Sequence, residues 1–191
     1  MNQEKDALLQ DLLQNEALRT AILGAVAGAA GGIAQPVLGK LEEALGFRRG
    51  EDADVPVHFV QALSRQAGTE LSGPAAWMAG AGFHVGYALF WGGVYAAVRE
   101  RSGVSPAVGG LGLAAVLYAA AFSRAGAGVL SGAEPHPDRR PLRWWMLLTT
   151  MPLVYGLTTA GVYERLRRWR TRRQDEREVS ADAPGTSGGR L

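Results

Sequence analysis

Four apolar stretches, separated by charged or turn-forming segments, set the pattern of this chain. The clearest runs from Trp77 to Val98 without a single Asp, Glu, Lys or Arg. As a helix it would reach about 33 Å, enough to cross the hydrocarbon core of a bilayer. Trp77 and Tyr95 stand near its two ends, where amphipathic rings favour the membrane–water interface, and Arg99 and Arg101 close it. The other stretches cover about residues 20–38, 104–122 and 144–163. The pattern predicts an all-α fold, an integral membrane bundle of four transmembrane helices. A short amphipathic helix over residues 1–19 precedes the transmembrane domain of residues 20–178. A polar, disordered tail over residues 179–191 ends the chain.

Local spacing refines each element. In the first segment Leu8, Leu9, Leu12 and Leu13 share one side of a helix, away from Asp6, Asp11 and Glu16. Its acidic balance argues against a secretory signal peptide, which needs a positive start. In the first span Gly24, Gly28 and Gly32 recur every four residues and so form one stripe, the small-residue pattern that lets membrane helices touch backbone to backbone. Pro36 is expected to bend the end of that helix. The loop from Lys40 to Pro74 is acidic, and Val55–Ala67 within it fits a short interfacial helix. Pro106 falls in the first turn of the third span, where a missing N–H is harmless. Pro135, Pro137 and Pro141 keep the second long loop non-helical, and Pro152 should kink the fourth span.

Composition sharpens this picture at three points. Glycine accounts for 26 of 191 residues, as expected of helices that approach closely. No cysteine is present, which excludes disulfides, thiolate chemistry and Cys-based metal sites. The basic residues gather at the ends of the apolar stretches. With four spans, the N-terminal segment, the tight connection and the C-terminal segment share one side and carry twelve Lys and Arg, against eight in the two long loops. Both termini are therefore expected in the cytoplasm, with the long loops outside. The basic stretch Arg165–Arg177 reads as a stop-transfer anchor beside anionic lipid and not as a nucleic-acid arm.

The second and fourth spans echo each other. Tyr87 and Tyr95 lie 68 residues before Tyr155 and Tyr163, and the Gly-Val-Tyr of Gly93–Tyr95 recurs at Gly161–Tyr163. Two readings fit: a tandem repeat of helix pairs, or chance among residues common at membrane helix ends. The motif His84-Val-Gly-Tyr87 followed by Gly92-Gly-Val-Tyr95 resembles the YagU-like family of small four-span bacterial membrane proteins. The resemblance extends to the Gly-rich first span ending near Lys40 and Glu43, the Pro-containing second long loop and the Tyr155-Gly156 step. It covers roughly residues 20–168. It implies a bacterial inner-membrane location and supplies no reaction. Members often carry a histidine in the closing span, whereas here no His follows His136.

Two stripes of the second span are candidates for a role. Small residues that include Gly82, Gly86 and Gly93 form an expected helix-packing seam for a neighbouring helix, as Gly24, Gly28 and Gly32 do on the first span. His84, Tyr87, Trp91 and Tyr95 form the other, and of these His84 and Tyr87 make a candidate intramembrane polar site with Tyr155. An intramembrane His can take up protons near neutral pH. Its plainer role is a neutral ring bonded to a carbonyl or hydroxyl of a neighbouring helix, since the spans hold no acidic partner. Thr149, Thr150, Thr158 and Thr159 could line a polar path or bond back to their own helix. His58 and His136 make a poor metal site, and no nucleotide fingerprint or nucleophile–base pair is present. The first expectation is thus a non-enzymatic membrane protein of structural or envelope-associated role. It takes the lipid bilayer as its medium, needs no cofactor, and has a second copy or another membrane protein as its conceivable partner. The alternative is a small-solute or proton-linked transporter with His84 facing the path.

Overall fold

The computed structural model describes residues 15–47, 55–134 and 142–182. Among them are six helices and no strand: α1 (Glu16–Ala44), α2 (Val55–Gln66), α3 (Gly73–Ser102), α4 (Pro106–Phe122), the single turn α5 (Ala127–Leu130) and α6 (Leu142–Asp182). The expected N-terminal amphipathic helix lies largely outside the described residues.

The ends of these helices follow from local sequence. The Asn15 side chain accepts from the amides of Ala17 and Leu18 and starts α1. At its other end Gly46 takes a φ of 75°, while the Gly46 and Phe47 amides return to the Glu43 and Glu42 carbonyls. That closure requires a residue free to adopt left-handed backbone. Pro74 and Pro106 open α3 and α4 from their first turns. Two boundaries differ from the sequence reading. Helix α1 continues through Pro36 to Ala44, and α6 runs unbroken to Asp182, into the expected tail.

Helix α1 is central, packing on α3 along one face and on α6 along another. Helix α4 lies on α6, α2 on the first half of α3, and α3 and α4 scarcely touch. The α1–α3 contact is made of backbone. A methyl on Gly24 would stand 2.5 Å from the Gly92 carbonyl oxygen, and one on Gly28 would collide with the Ala88 carbonyl. On α1's next face, Gly31 leaves room for Thr159 and Tyr155 of α6. The seam on α3 is therefore Ala88, Gly92 and Ala96. This corrects the expected Gly82, Gly86 and Gly93: the first two meet nothing within 4 Å, and Gly93 only the Ala21 carbonyl at 3.9 Å. The physical reason is phase, since a helix turns 100° per residue and the closest face is set by where α1 crosses.

Among the described residues two segments, Glu16–Ala44 and Pro106–Leu130, are long and apolar enough to cross a membrane. Helix α3 has the length, but its Gly, Tyr, Trp and His residues dilute the hydropathy of its uncharged centre.

Candidate functional site

Helices α3 and α4 meet near their tight connection, where the Tyr95 ring edge lies close against Gly109, and diverge away from it. The space between them is a cavity of about 390 Å³. Phe83, Tyr87 and Trp91 form its α3 wall, one helical turn apart. Phe59 of α2 extends the row: the ring centroids are 4.8 Å apart from Phe59 to Phe83, 5.6 Å from Phe83 to Tyr87 and 6.0 Å from Tyr87 to Trp91. Leu117 and Ala120 of α4 and Met151 and Pro152 of α6 lie opposite. At the wide end α2 and the turn after α5 join, the Gln66 amide donating to the Ser131 carbonyl over 3.2 Å.

His84 lies on this wall with an identifiable task. Its Nε2–H donates to the Gly32 carbonyl across 2.9 Å. Gly32 is four residues before Pro36, which has no N–H to offer it. The imidazole replaces the backbone donor that the proline lacks, which also explains how α1 passes through Pro36. Gln35 bonds in the same region, giving its amide N–H to the Met151 carbonyl at 3.1 Å. Tyr87 lines the cavity, but Tyr155 does not. Its hydroxyl donates to the Ala88 carbonyl at 2.6 Å, and the ring is 1 % exposed. Tyr95 leaves the expected aromatic stripe to meet Tyr163 edge-on, with centroids 5.7 Å apart.

The polar residues singled out elsewhere serve packing. Thr149 bonds back to the Trp145 carbonyl of its own helix, Thr150 donates to the buried Glu42 carboxylate, and Thr159 is fully buried against Gly31. Lys40 pairs with Glu43 at 2.8 Å on the surface. His58 is exposed on α2, and His136 lies outside the described residues. Among the described residues no group of three or more His, Asp or Glu is placed to hold a metal ion.

The narrow end of the bundle is charged. Arg99 of α3 and Glu164 of α6 face each other at 3.6 Å, both nearly buried, and Glu164 also accepts from Arg167 and Arg168. Burial pushes the Glu164 carboxyl up, but the hydrogen bonds from Arg168 and Arg167 outweigh it and hold the group below its ordinary range. The bond to Glu164 in turn raises Arg167. Tyr163 donates to Glu100 at 2.8 Å and ties α6 to α3 beside this pair.

The class defined by these features is a small all-α bundle with an apolar cavity and a charged end. No family model, curated protein or solved structure matches the chain, so its function is read from its own geometry. Tyr87 and Trp91 of the row belong to the expected stripe, while Phe83 takes the place next to them that the stripe gave to His84. Phe59 joins the row from a separate helix and left no such signal.

Proposed function

We propose that the chain is a multi-pass membrane protein in which α1, α3, α4 and α6 each cross the bilayer, and that its role is structural, with no reaction of its own. The observation that carries this is an inverted distribution of side chains. Ile33 is 66 % exposed and Val108 60 %, with Val37, Val85, Phe90, Leu111 and Val116 also on the outside. The largest fully buried side chains are Tyr155, Tyr163 and Thr159, amid glycine and alanine. In water such a surface would drive association, whereas in hydrocarbon it costs nothing and the small residues supply the helix contacts. The charged end, with Arg99, Arg101 and the basic residues after Tyr163, then faces the cytoplasm. The wide end and both long loops face outward from a bacterial inner membrane, the location that the YagU-like resemblance also implies.

Because the chain has no cysteine, single cysteines test this cleanly. A membrane-impermeant maleimide applied to intact cells should label Ser131→Cys and Thr69→Cys but not Ser102→Cys, which should react only after permeabilisation. Equal labelling of all three from outside would sink the four-span reading.

The transporter reading has one observation in its favour. His84 stands between the cavity and a groove lined by Ala29, Ile33 and Lys40. Against it, His84 is already engaged by Gly32. If it carries a path, His84→Gln abolishes solute or proton flux in proteoliposomes. If it is structural, no flux above that of empty vesicles is present to be lost.

A further inference from the structure

The cavity between α3 and α4 is a binding site in its own right. We propose that it holds a single acyl chain of a membrane lipid, the methyl end against Tyr87 and Trp91 and the carbonyl end toward Trp77 and Phe122. This inference rests on the membrane reading above and adds a ligand to it.

Dimensions select the occupant. On α3 the lining runs from Trp77 to Trp91, about 21 Å of helix. Spread over that length, the 390 Å³ describes a long, narrow space that an extended hydrocarbon chain can follow. A helix of a second copy, about 10 Å across, does not fit. A loop of the chain itself would bring backbone N–H and C=O groups into a lining that offers them few partners. The chemistry agrees. The inner lining is aromatic and aliphatic, and its amide and imidazole donors, Gln35 and His84, are spent on the Met151 and Gly32 carbonyls. An apolar occupant therefore displaces neither of these two bonds, and the few other polar groups of the lining, among them the Tyr87 hydroxyl and the Glu134 carboxylate, are outnumbered by aromatic and aliphatic side chains. Helix α2 and the segment after α5 are joined near the wide end. Phe90 of α3 and Val116 of α4 are exposed on the outside of the same two helices, a surface that hydrocarbon would cover.

The test uses the full-length protein in vesicles of phosphatidylethanolamine and phosphatidylglycerol. The probe is phosphatidylethanolamine carrying a diazirine on one acyl chain, either near the carbonyl or at the methyl end. Photolysis and peptide mapping should show the carbonyl-end probe on Trp77 and Phe122 and the methyl-end probe on Tyr87 and Trp91. Both probes should also mark Ile33 and Val116 on the circumference. Ala120→Trp, an exposed position that points a ring into the cavity, should lower labelling of Tyr87 and Trp91 by about ten-fold and leave Ile33 unchanged. Circumference labelling with none in the cavity would overturn the acyl-chain site alone. Absence of labelling at Ile33 and Val116 as well would overturn the membrane reading beneath it. The two probe positions on the unaltered protein decide the matter even if Ala120→Trp fails to fold.

Discussion

Two helix pairs, α1 with α3 and α4 with α6, are built on the same crossing and end in different company. In the first pair Gly28 lies on the Ala88 carbonyl and Gly92, and Gly32 on Ala88. In the second, Gly110 lies on the Gly156 carbonyl and Ala160, and Gly156 meets Ala114. Residues 88 and 92 become 156 and 160 by the 68-residue offset that relates the tyrosines, while 28 and 32 become 110 and 114. The pairs diverge where each would meet the other. Helix α1 packs on α6 through Gly31 against Thr159 and Tyr155. At the corresponding places on α4 and α3 stand Leu113, Trp91 and Tyr87. Large side chains hold those two helices apart, and the cavity fills the place where a second α1–α6 interface would lie. One crossing repeated, one contact withheld: that difference makes the pocket.

The largest expected effect breaks the first crossing. Gly28→Leu drives a side chain into the Ala88 carbonyl, backbone that cannot yield, and should cost about 3 kcal/mol or prevent assembly outright. Gly110→Leu meets the Gly156 carbonyl at 2.8 Å on the peripheral helix α4, and should cost about 1–2 kcal/mol. Gly86→Leu enters open space and should leave the protein near wild type. Thermal unfolding in detergent, followed with size-exclusion profiles, ranks the three. A Gly86→Leu protein as damaged as Gly28→Leu would mean that the exposed glycines contact a second copy and that the order argued from the single chain is mistaken.

Smaller effects test the side chains that bond to carbonyls of the first pair. Tyr155→Phe removes the buried bond to Ala88 and should cost about 1 kcal/mol. His84→Ala should cost a similar amount, and a double-mutant cycle reveals why. In a Pro36→Ala background the residue-36 amide can satisfy the Gly32 carbonyl, so the loss of His84 should then cost less by at least about 0.5 kcal/mol. Strict additivity of the two substitutions would show that His84 is not standing in for the missing N–H.

How much of this was legible depends on whether a residue acts within its own helix or across to another. The long helices, the α1 stripe of Gly24, Gly28 and Gly32 and the 68-residue echo follow from periodicity along the chain, whereas the ends of α1 at Asn15 and Gly46 lie beyond the span of residues 20–38 that hydropathy marks. The matching face of α3 was placed on Gly82, Gly86 and Gly93, because small residues recur there too, and nothing local says which stripe a neighbour will select. The task of His84 was half visible: a carbonyl partner could be expected, but the identity of Gly32 depends on Pro36, 48 residues away in the chain. The cavity was not visible at all. It is the absence of a contact, and it appears only when two helix pairs are compared in space.

The smallest expected effect lies at the charged end, where the same offset turns Arg99 into Arg167 and Tyr95 into Tyr163. Both arginines use one carboxylate, Glu164, whose counterpart in the first pair is the buried Ala96. At this place the arginines of both pairs therefore meet on one carboxylate. Its carboxyl titrates below its ordinary value in the folded protein. The stability it adds is complete above the unfolded value, near about 4.3, and is lost as the pH falls through the lower folded one. Unfolding followed from pH 7 to pH 3 should show an acid-side loss that Glu164→Gln reduces, together with a lower plateau at neutral pH. Because Arg168 is 70 % exposed, screening by salt should shrink the difference. An acid limb identical in the variant would show that Glu164 is not the group whose protonation weakens the fold.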